Sequence, residues 1–430
     1  MDVLILSTAN PYLGPGIIGL DIFNGLRALD NNVVMLVRDG QSKDQNIISF
    51  DSTFAFQKQR VQNKLSVLRK KIKDLGRANS GIKPEYNIHD YDQTITYFST
   101  NFLLKHAKIK PQAIIVLFMQ HFLSCKNLYE LNQKTGAPIY LFPMDMAPFT
   151  GGCHYSWGCE SYKNECGSCP ALNSQKKNDQ TNKNLKFKKN FMQKTDVTLF
   201  AGNTQIFDEI SNSAIFKNKK VINGIYPLPD KTIFKPISIA TSKKHFGIET
   251  DKKVFFFGAV SLSDKRKGMS VLIEAIQIVN SKLDEIKYDK DKLLFLIAGS
   301  NFHNSRNAIP LNTKEIGYIH GYSDLSKAYN ASDFFICPSL EDSGPTMVLQ
   351  SILCSIPVIS FNIGFSRDYI INNVNGYTSQ IKNSESLAES LYKAIMLGKK
   401  EYETMKSNVA TTATEISKVG FVDRIANVIS

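Results

Sequence analysis

The chain has 430 residues, 43% of them hydrophobic and 21% charged, the balance of an ordinary globular protein. That length sets two domains as the prior and gives each half enough chain for its own core. The net charge of +13 favours anionic partners, but no basic stretch with interleaved aromatics points to nucleic acid, and no apolar run approaches the ~18 residues of a membrane-spanning helix.

The N-terminal MDVLILSTANPYLG has no basic region ahead of its apolar run. It reads as a first strand, over 3–7, rather than an export signal, so a cytoplasmic location is expected. The loop 10–16 follows and holds Gly14-Pro-Gly16. Ile18, Ile22, Leu26 and Leu29 then recur at helical spacing, and 33–37 is the next strand. Residues 57–77 carry eight Lys or Arg against one Asp, with Val61, Leu65, Leu68, Ile72 and Leu75 on one helical face. Such a basic amphipathic helix suits an anionic membrane surface; the plainer reading is a surface helix with a solvated basic side. Apolar runs at 113–117 and 139–142 read as further strands with a helix between them.

The alternation restarts at 254–260 (VFFFGAV) and continues with a helix over 269–281, a strand over 293–298, a helix near 324–331, a strand over 333–337 and a helix over 345–355. The stretch 223–238 (NGIYPLPDKTIFKPIS) holds three prolines and marks the join. The tail 401–430 reads as helical. Strand–helix alternation of this kind predicts an α/β fold of two Rossmann-like domains with parallel sheets, whose ligands bind beyond the carboxyl ends of the strands.

Two loops at such strand ends carry chemistry. Gly258 to Gly268 (GAVSLSDKRKG) lies between a strand and a helix and brings Lys265, Arg266 and Lys267 to the helix start, where a diphosphate needs positive charge. The segment 338–361 (PSLEDSGPTMVLQSILCSIPVISF) places Glu341, Asp342, Ser343 and Gly344 ahead of Pro345 and Thr346, which open a helix. Free N–H groups there suit a phosphate, and the carboxylates accept from nearby hydroxyls, which points to a sugar nucleotide.

Taken with the Arg266-Lys267-Gly268 loop and the NGIYPLPDKTIFKP linker, this segment resembles the retaining glycosyltransferases of family 4, which share the GT-B fold of two Rossmann-like domains facing each other across a cleft. Residues 254–376 carry the likeness. The resemblance implies that the acid at the first motif position contacts the transferred sugar, which selects Asp342 with Glu341 beside it. It also implies that Lys267 holds the diphosphate. The second motif position binds the ribose hydroxyls; here it is Gln350, which can accept a hydrogen bond but brings no charge. A family arginine beside the diphosphate is missing, and Ser261 stands near its place. Gly321 to Asp333 (GYSDLSKAYNASD), with Tyr322, and the loop after Gly299 are implied to hold the nucleobase. A family histidine near the 113–117 strand contacts the donor sugar, which makes His121 a candidate; a lone histidine is as readily structural. Gly14 and Gly16 are expected to approach the phosphate or the acceptor, since glycine tolerates close contact.

Four of the seven cysteines, Cys153, Cys159, Cys166 and Cys169, fall within 17 residues. Reduced and clustered, they suggest a tetrahedral structural zinc site, with His154 able to replace one ligand; disulfides and plain buried thiols are the alternatives. The surrounding text resembles a subgroup of these enzymes from surface-polysaccharide synthesis, with TGGCHY followed by a C…CGxCP run. Met144 stands where that subgroup has histidine. The resemblance implies that Asp145, Thr150, Gly151, Gly152 and His154 shape the acceptor side.

The expected layout is an acceptor domain over 1–222 with a Cys-rich insertion at about 144–175, an NDP-sugar domain over 223–415, and a last helix over 416–430 crossing back to the first domain. The resemblance implies transfer of a hexose-type sugar with retention to a surface-glycan or lipid-linked acceptor, without a catalytic metal and at the inner membrane face. A sugar-nucleotide or glycan-binding protein without turnover is the alternative, prompted by Gln350.

Overall fold

The computed structural model describes residues 1–50, 82–88, 90–301 and 308–430. The basic stretch 57–77 lies outside the described residues. The chain divides into two compact units. The first comprises 1–202, 206–227 and 421–430, and the second comprises 203–205 and 228–420.

The first unit is built on a seven-stranded sheet. Its strands are β1 (Asp2–Ser7), β2 (Asn32–Val37), β3 (Ile47–Ser49), β4 (Ala113–Val116), β5 (Ile139–Leu141), β6 (Val197–Ala201) and β7 (Lys220–Asn223). They lie in the order β3-β2-β1-β4-β5-β6-β7, and every pair is parallel. Both faces are covered, which is why the strands are continuous apolar runs rather than alternating ones. Leu4, Leu6, Ile114, Val116, Leu141 and Leu199 enter one core. Val3, Ile5, Met35, Ile115, Tyr140 and Phe200 enter the other.

The helix Ile17–Ala28 buries Gly19, Ile22, Phe23 and Leu26. Leu29, read from the sequence as part of its apolar stripe, is instead the capping residue and 46% exposed. The helical tail is two helices, Lys399–Ile416 and Phe421–Ile429, interrupted at 417–420. The second packs in the first unit, where Val422 lies against Gly25 and Phe142 against Phe421 at 6.0 Å between ring centroids. Glycine at position 25 leaves the room that Val422 fills.

The second unit holds a six-stranded parallel sheet of β8 (Lys253–Ser261), β9 (Leu293–Ser300), β10 (Thr313–Glu315), β11 (Phe334–Cys337), β12 (Val358–Phe361) and β13 (Gly376–Ser379), in the order β10-β9-β8-β11-β12-β13. Phe255, Phe257, Phe295, Ile297, Phe334 and Ile336 share one core with Leu272, Ile276 and Val279 of the helix Met269–Glu285. In each sheet the strand order reverses once on either side of the first strand, between β1 and β4 and between β8 and β11. Those reversals open the crevices where parallel sheets take ligands. Among the described residues no helix is long and apolar enough to cross a membrane.

Candidate functional site

The β8–β11 reversal brings together the two loops picked out from the sequence. After β8 the chain turns through Asp264 and a short 3-10 turn, Lys265–Lys267, into the helix Met269–Glu285. After β11 it runs through 338–345 into the helix Thr346–Leu353. The loops are joined directly: the Leu340 N–H donates to the Arg266 carbonyl at 2.6 Å. Gly268 has φ +73°, and a Cβ there would sit 1.9 Å from the Pro338 carbonyl oxygen. Only glycine fits both that left-handed backbone and that approach.

Within this shelf Lys267 Nζ donates to Asp342 Oδ2 at 2.6 Å, and Asp342 Oδ1 accepts from the Gly344 N–H at 3.2 Å. Burial alone lowers a lysine's pKa, but the charge and hydrogen bond of Asp342 outweigh it and hold Lys267 above its ordinary value. The ammonium is therefore permanent at any physiological pH. Lys267 and Asp342 line a pocket of about 120 Å³ together with Gly258, Gly344, Pro345 and Thr346.

The convergence of three cations does not occur. Arg266 is held by Asp264, 2.6 Å away in the same turn, and Lys265 is exposed. Of the three, Lys267 lines the pocket. Glu341 lies 3.9 Å from Lys382, which leaves Asp342 as the acid facing Lys267. Ser343 precedes Gly344 in the loop, and its hydroxyl is buried.

Gln350 is 8% exposed and its Oε1 accepts from the Tyr329 hydroxyl at 2.9 Å. Ser261 ends β8 beyond a register irregularity, with its hydroxyl 2.9 Å from that of Ser263. Gly299, near the end of β9, donates its N–H to the Gly317 carbonyl at 2.8 Å. Tyr322 is 57% exposed, its ring 5.8 Å from that of Phe234.

In the first unit Gly14 and Gly16 form a short turn ahead of the helix Ile17–Ala28. Gly14 is exposed, whereas Gly16 is buried, and a Cβ on it would meet the Asn10 carbonyl oxygen at 1.9 Å. His121 follows β4 and pairs with Asp90, a partner that no motif suggested.

The TGGCHY segment folds on itself. Asp145 accepts from the Ala147 N–H at 2.8 Å and faces His154 Nδ1 at 2.7 Å. Lys188 is buried and donates to the carbonyls of Ala147 at 2.6 Å and Thr150 at 2.9 Å. Burial pushes the Lys188 pKa down. The side chains of Thr150, Asp145 and His154 are all buried in this network, and a Cβ on Gly151 would meet Thr181 at 2.7 Å. These residues hold the loop together. Asp145 also lines a cavity with Asp90, Gln93 and Tyr97.

Cys153, Cys159, Cys166 and Cys169 line one small cavity, and all seven cysteines are free thiols. Burial pushes Cys153 up to about 11 and Cys166 up to about 12. Among the described residues no three His, Cys, Asp or Glu side chains are placed to hold a metal ion. The zinc ligation expected of the four cysteines is thus not supported. The segment is held by other bonds: Asn182 Nδ2 donates to the Cys166 carbonyl at 2.6 Å and Asp179 accepts from the Cys169 N–H at 2.9 Å.

Comparison with known proteins bears on part of the chain in sequence and on the whole chain in fold. Over 179 residues, 40% of this chain and 46% of the relative, the sequence is 25% identical to N,N'-diacetylbacillosaminyl-diphospho-undecaprenol alpha-1,3-N-acetylgalactosaminyltransferase of Campylobacter jejuni. The chain spans less than half the length of the curated relatives it matches. Sucrose-phosphate synthase from Thermosynechococcus elongatus superposes with a TM-score of 0.67 at 13% identity, covering 100% of this chain and 98% of that one. Anabaena HepE, solved in complex with UDP and glucose, superposes with a TM-score of 0.60 at 14% identity, covering 100% and 99%. The fold of two Rossmann-like units is therefore that of the GT-B glycosyltransferases. The family model described as Glycosyl transferases group 1 matches residues 238–411, the stretch that contains the Lys267–Asp342 crevice.

Proposed function

We propose that the protein is a retaining glycosyltransferase that moves a sugar from a nucleoside diphosphate sugar to a hydroxyl of a glycan or lipid-linked acceptor. One observation carries the reading. A permanent ammonium, Lys267, stands 2.6 Å from a carboxylate, Asp342, in a pocket at the start of the helix Thr346–Leu353, within the stretch matching the group 1 family. An ammonium and helix N–H groups stabilise a departing diphosphate, whose negative charge grows as the C1–O bond breaks. Asp342 accepts from sugar hydroxyls once the incoming phosphate takes its place beside Lys267.

UDP is the first nucleotide to test, because the HepE structure holds it. A ligand that binds only the folded state raises the melting temperature. A panel of UDP-, GDP-, ADP- and CMP-sugars is expected to give one stabilising donor, with turnover against glycan or lipid-linked acceptors. No shift with any donor would end the proposal.

Gln350 favours a second reading, a sugar-nucleotide-binding protein without turnover, since its amide brings no charge and its oxygen already accepts from Tyr329. Donor stabilisation without hydrolysis or transfer would select it. The basic stretch 57–77 is read as the contact with an anionic membrane surface, each basic residue being worth about 1 kcal/mol. Replacing five of its Lys or Arg is expected to move the protein from membrane to soluble fractions, and unchanged partitioning would remove that part of the reading.

A further inference from the structure

The crevice of the first unit, at the β1–β4 reversal, contains a polar cluster around His121 whose other members no motif announces. Thr8, just past β1, donates its hydroxyl to the carbonyls of Phe118 at 3.1 Å and Gln120 at 2.9 Å. Arg38 Nη1 donates to the same Gln120 carbonyl at 3.0 Å. The loop after β4 is thus fixed from two neighbouring strands. It delivers His121 with φ +54°, a left-handed backbone that non-glycine residues adopt rarely and that clusters at functional sites.

Asp90 holds the histidine in place. It is 8% exposed, and its Oδ2 accepts from the His121 N–H at 2.8 Å. Its Oδ1 faces His121 Nδ1. The Tyr97 hydroxyl lies 3.2 Å from that Oδ1 and 3.0 Å from Nδ1. Burial first, and then the charge of Asp90, pushes Tyr97 well above its usual range, so the phenol keeps its proton and donates it. Burial opposes ionisation of Asp90, but hydrogen bonds from His121 and Tyr97 hold its pKa below the ordinary 3.8. The carboxylate is charged, and Asp90 and Tyr97 also line a cavity with Gln93 and Met119.

A charged carboxylate opposite Nδ1 selects one neutral tautomer. With the proton on Nδ1, the ring donates to Asp90; with the proton on Nε2, two sets of lone pairs would face each other. The imidazole side chain is 48% exposed, and Nδ1 is on its tethered side. Nε2, on the far edge, is left with its lone pair available.

We propose that Asp90 is a positioning residue that fixes His121, the histidine that the family resemblance already sets against the sugar, in the Nδ1–H form, so that Nε2 accepts a hydrogen bond from a hydroxyl of a saccharide bound at the β1–β4 crevice. The ligand class rests on the glycosyltransferase reading; the tautomer does not. The role is one of orientation, and no covalent step is assigned to the ring.

The test uses the full chain labelled with 15N-histidine. It has seven histidines, and His121→Gln assigns the signals of one. At alkaline pH the wild-type protein is expected to show a protonated Nδ1 and a bare Nε2 at His121. Asp90→Asn should move the ring toward the Nε2–H form, and Tyr97→Phe should leave it unchanged. A wild-type ring already in the Nε2–H form overturns the proposal, even if Asp90→Asn fails to fold. With a donor and acceptor that the wild type turns over, Asp90→Asn is expected to lower kcat/KM about tenfold, the worth of one hydrogen bond. His121→Gln should lose as much, and the double variant no more; additive losses would show that Asp90 acts apart from His121 and would also overturn it. A wild type without any transfer would sink the glycosyltransferase reading, while the nitrogen shifts still decide the tautomer.

Discussion

At the reversal between β8 and β11 the second unit sets an ammonium and a carboxylate 2.6 Å apart, beside the starts of two helices. At the reversal between β1 and β4 the first unit sets a carboxylate, a phenol and an imidazole, on a loop tied down through backbone carbonyls. Both crevices arise from the same parallel-sheet topology. Their side chains suit different tasks. In the roles proposed above, the ammonium of the first-named pair meets an anion, whereas the imidazole of the second cluster meets a neutral hydroxyl. A repeated scaffold thus fixes where ligands bind and leaves the chemistry to a handful of loop residues.

Breaking the cationic side of this contrast should have the largest effect. Lys267→Ala is expected to lower turnover about 100- to 1,000-fold with the fold intact, the range seen when one donor to a developing anion is removed. Steady-state kinetics with circular dichroism checks this; a loss of only a few-fold would mean that helix N–H groups suffice. Gly268→Ala comes next. It adds a Cβ 1.9 Å from the Pro338 carbonyl in a left-handed backbone. The expected cost is about 1–3 kcal/mol, read in urea unfolding, together with weaker donor stabilisation.

On the other side, acid sharpens the comparison. The folded pKa of Asp90 lies below its ordinary 3.8, so the unfolded chain binds the proton more readily in that window. The stability that Asp90 adds is then complete above its unfolded pKa and is lost as pH falls through the depressed folded value. The gap in unfolding midpoint between wild type and Asp90→Asn should close as the pH is lowered through this range, and a gap independent of pH would contradict the pairing. The smallest effect is expected for Tyr329→Phe, which removes the hydroxyl that donates to Gln350. It should cost about 1 kcal/mol in thermal unfolding.

The contrast also explains what could be read from the linear chain. Continuous apolar strands alternating with amphipathic helices announced parallel sheets, and Lys267, Gly268 and Asp342 stand in loops whose strand–turn–helix pattern is local. Asp90 and Tyr97 carry no such signal, and His121 was offered only by the family resemblance. Asp90 lies in an irregular polar stretch and meets His121 across 31 positions. Lys188 was equally hidden: it lies in the helix Gln180–Met192 among three other lysines, yet it is buried and donates to the carbonyls of Ala147 and Thr150. Likewise the buried thiols near Cys153 gave a metal-like spacing, because spacing along the chain does not say where sulfur atoms point. Short local patterns disclose backbone geometry; pairings over long separations depend on packing that no window contains.

The seam between Gly268 and Pro338 has a further consequence. With so little room between these backbones and a hydrogen bond joining them, the two loops are tied together without a ligand, so the nucleotide of the proposed reaction would meet a site already assembled. Little conformational entropy is then left to lose on association. Discrimination among nucleotides should therefore show mainly in how long each remains bound, with similar capture rates for all.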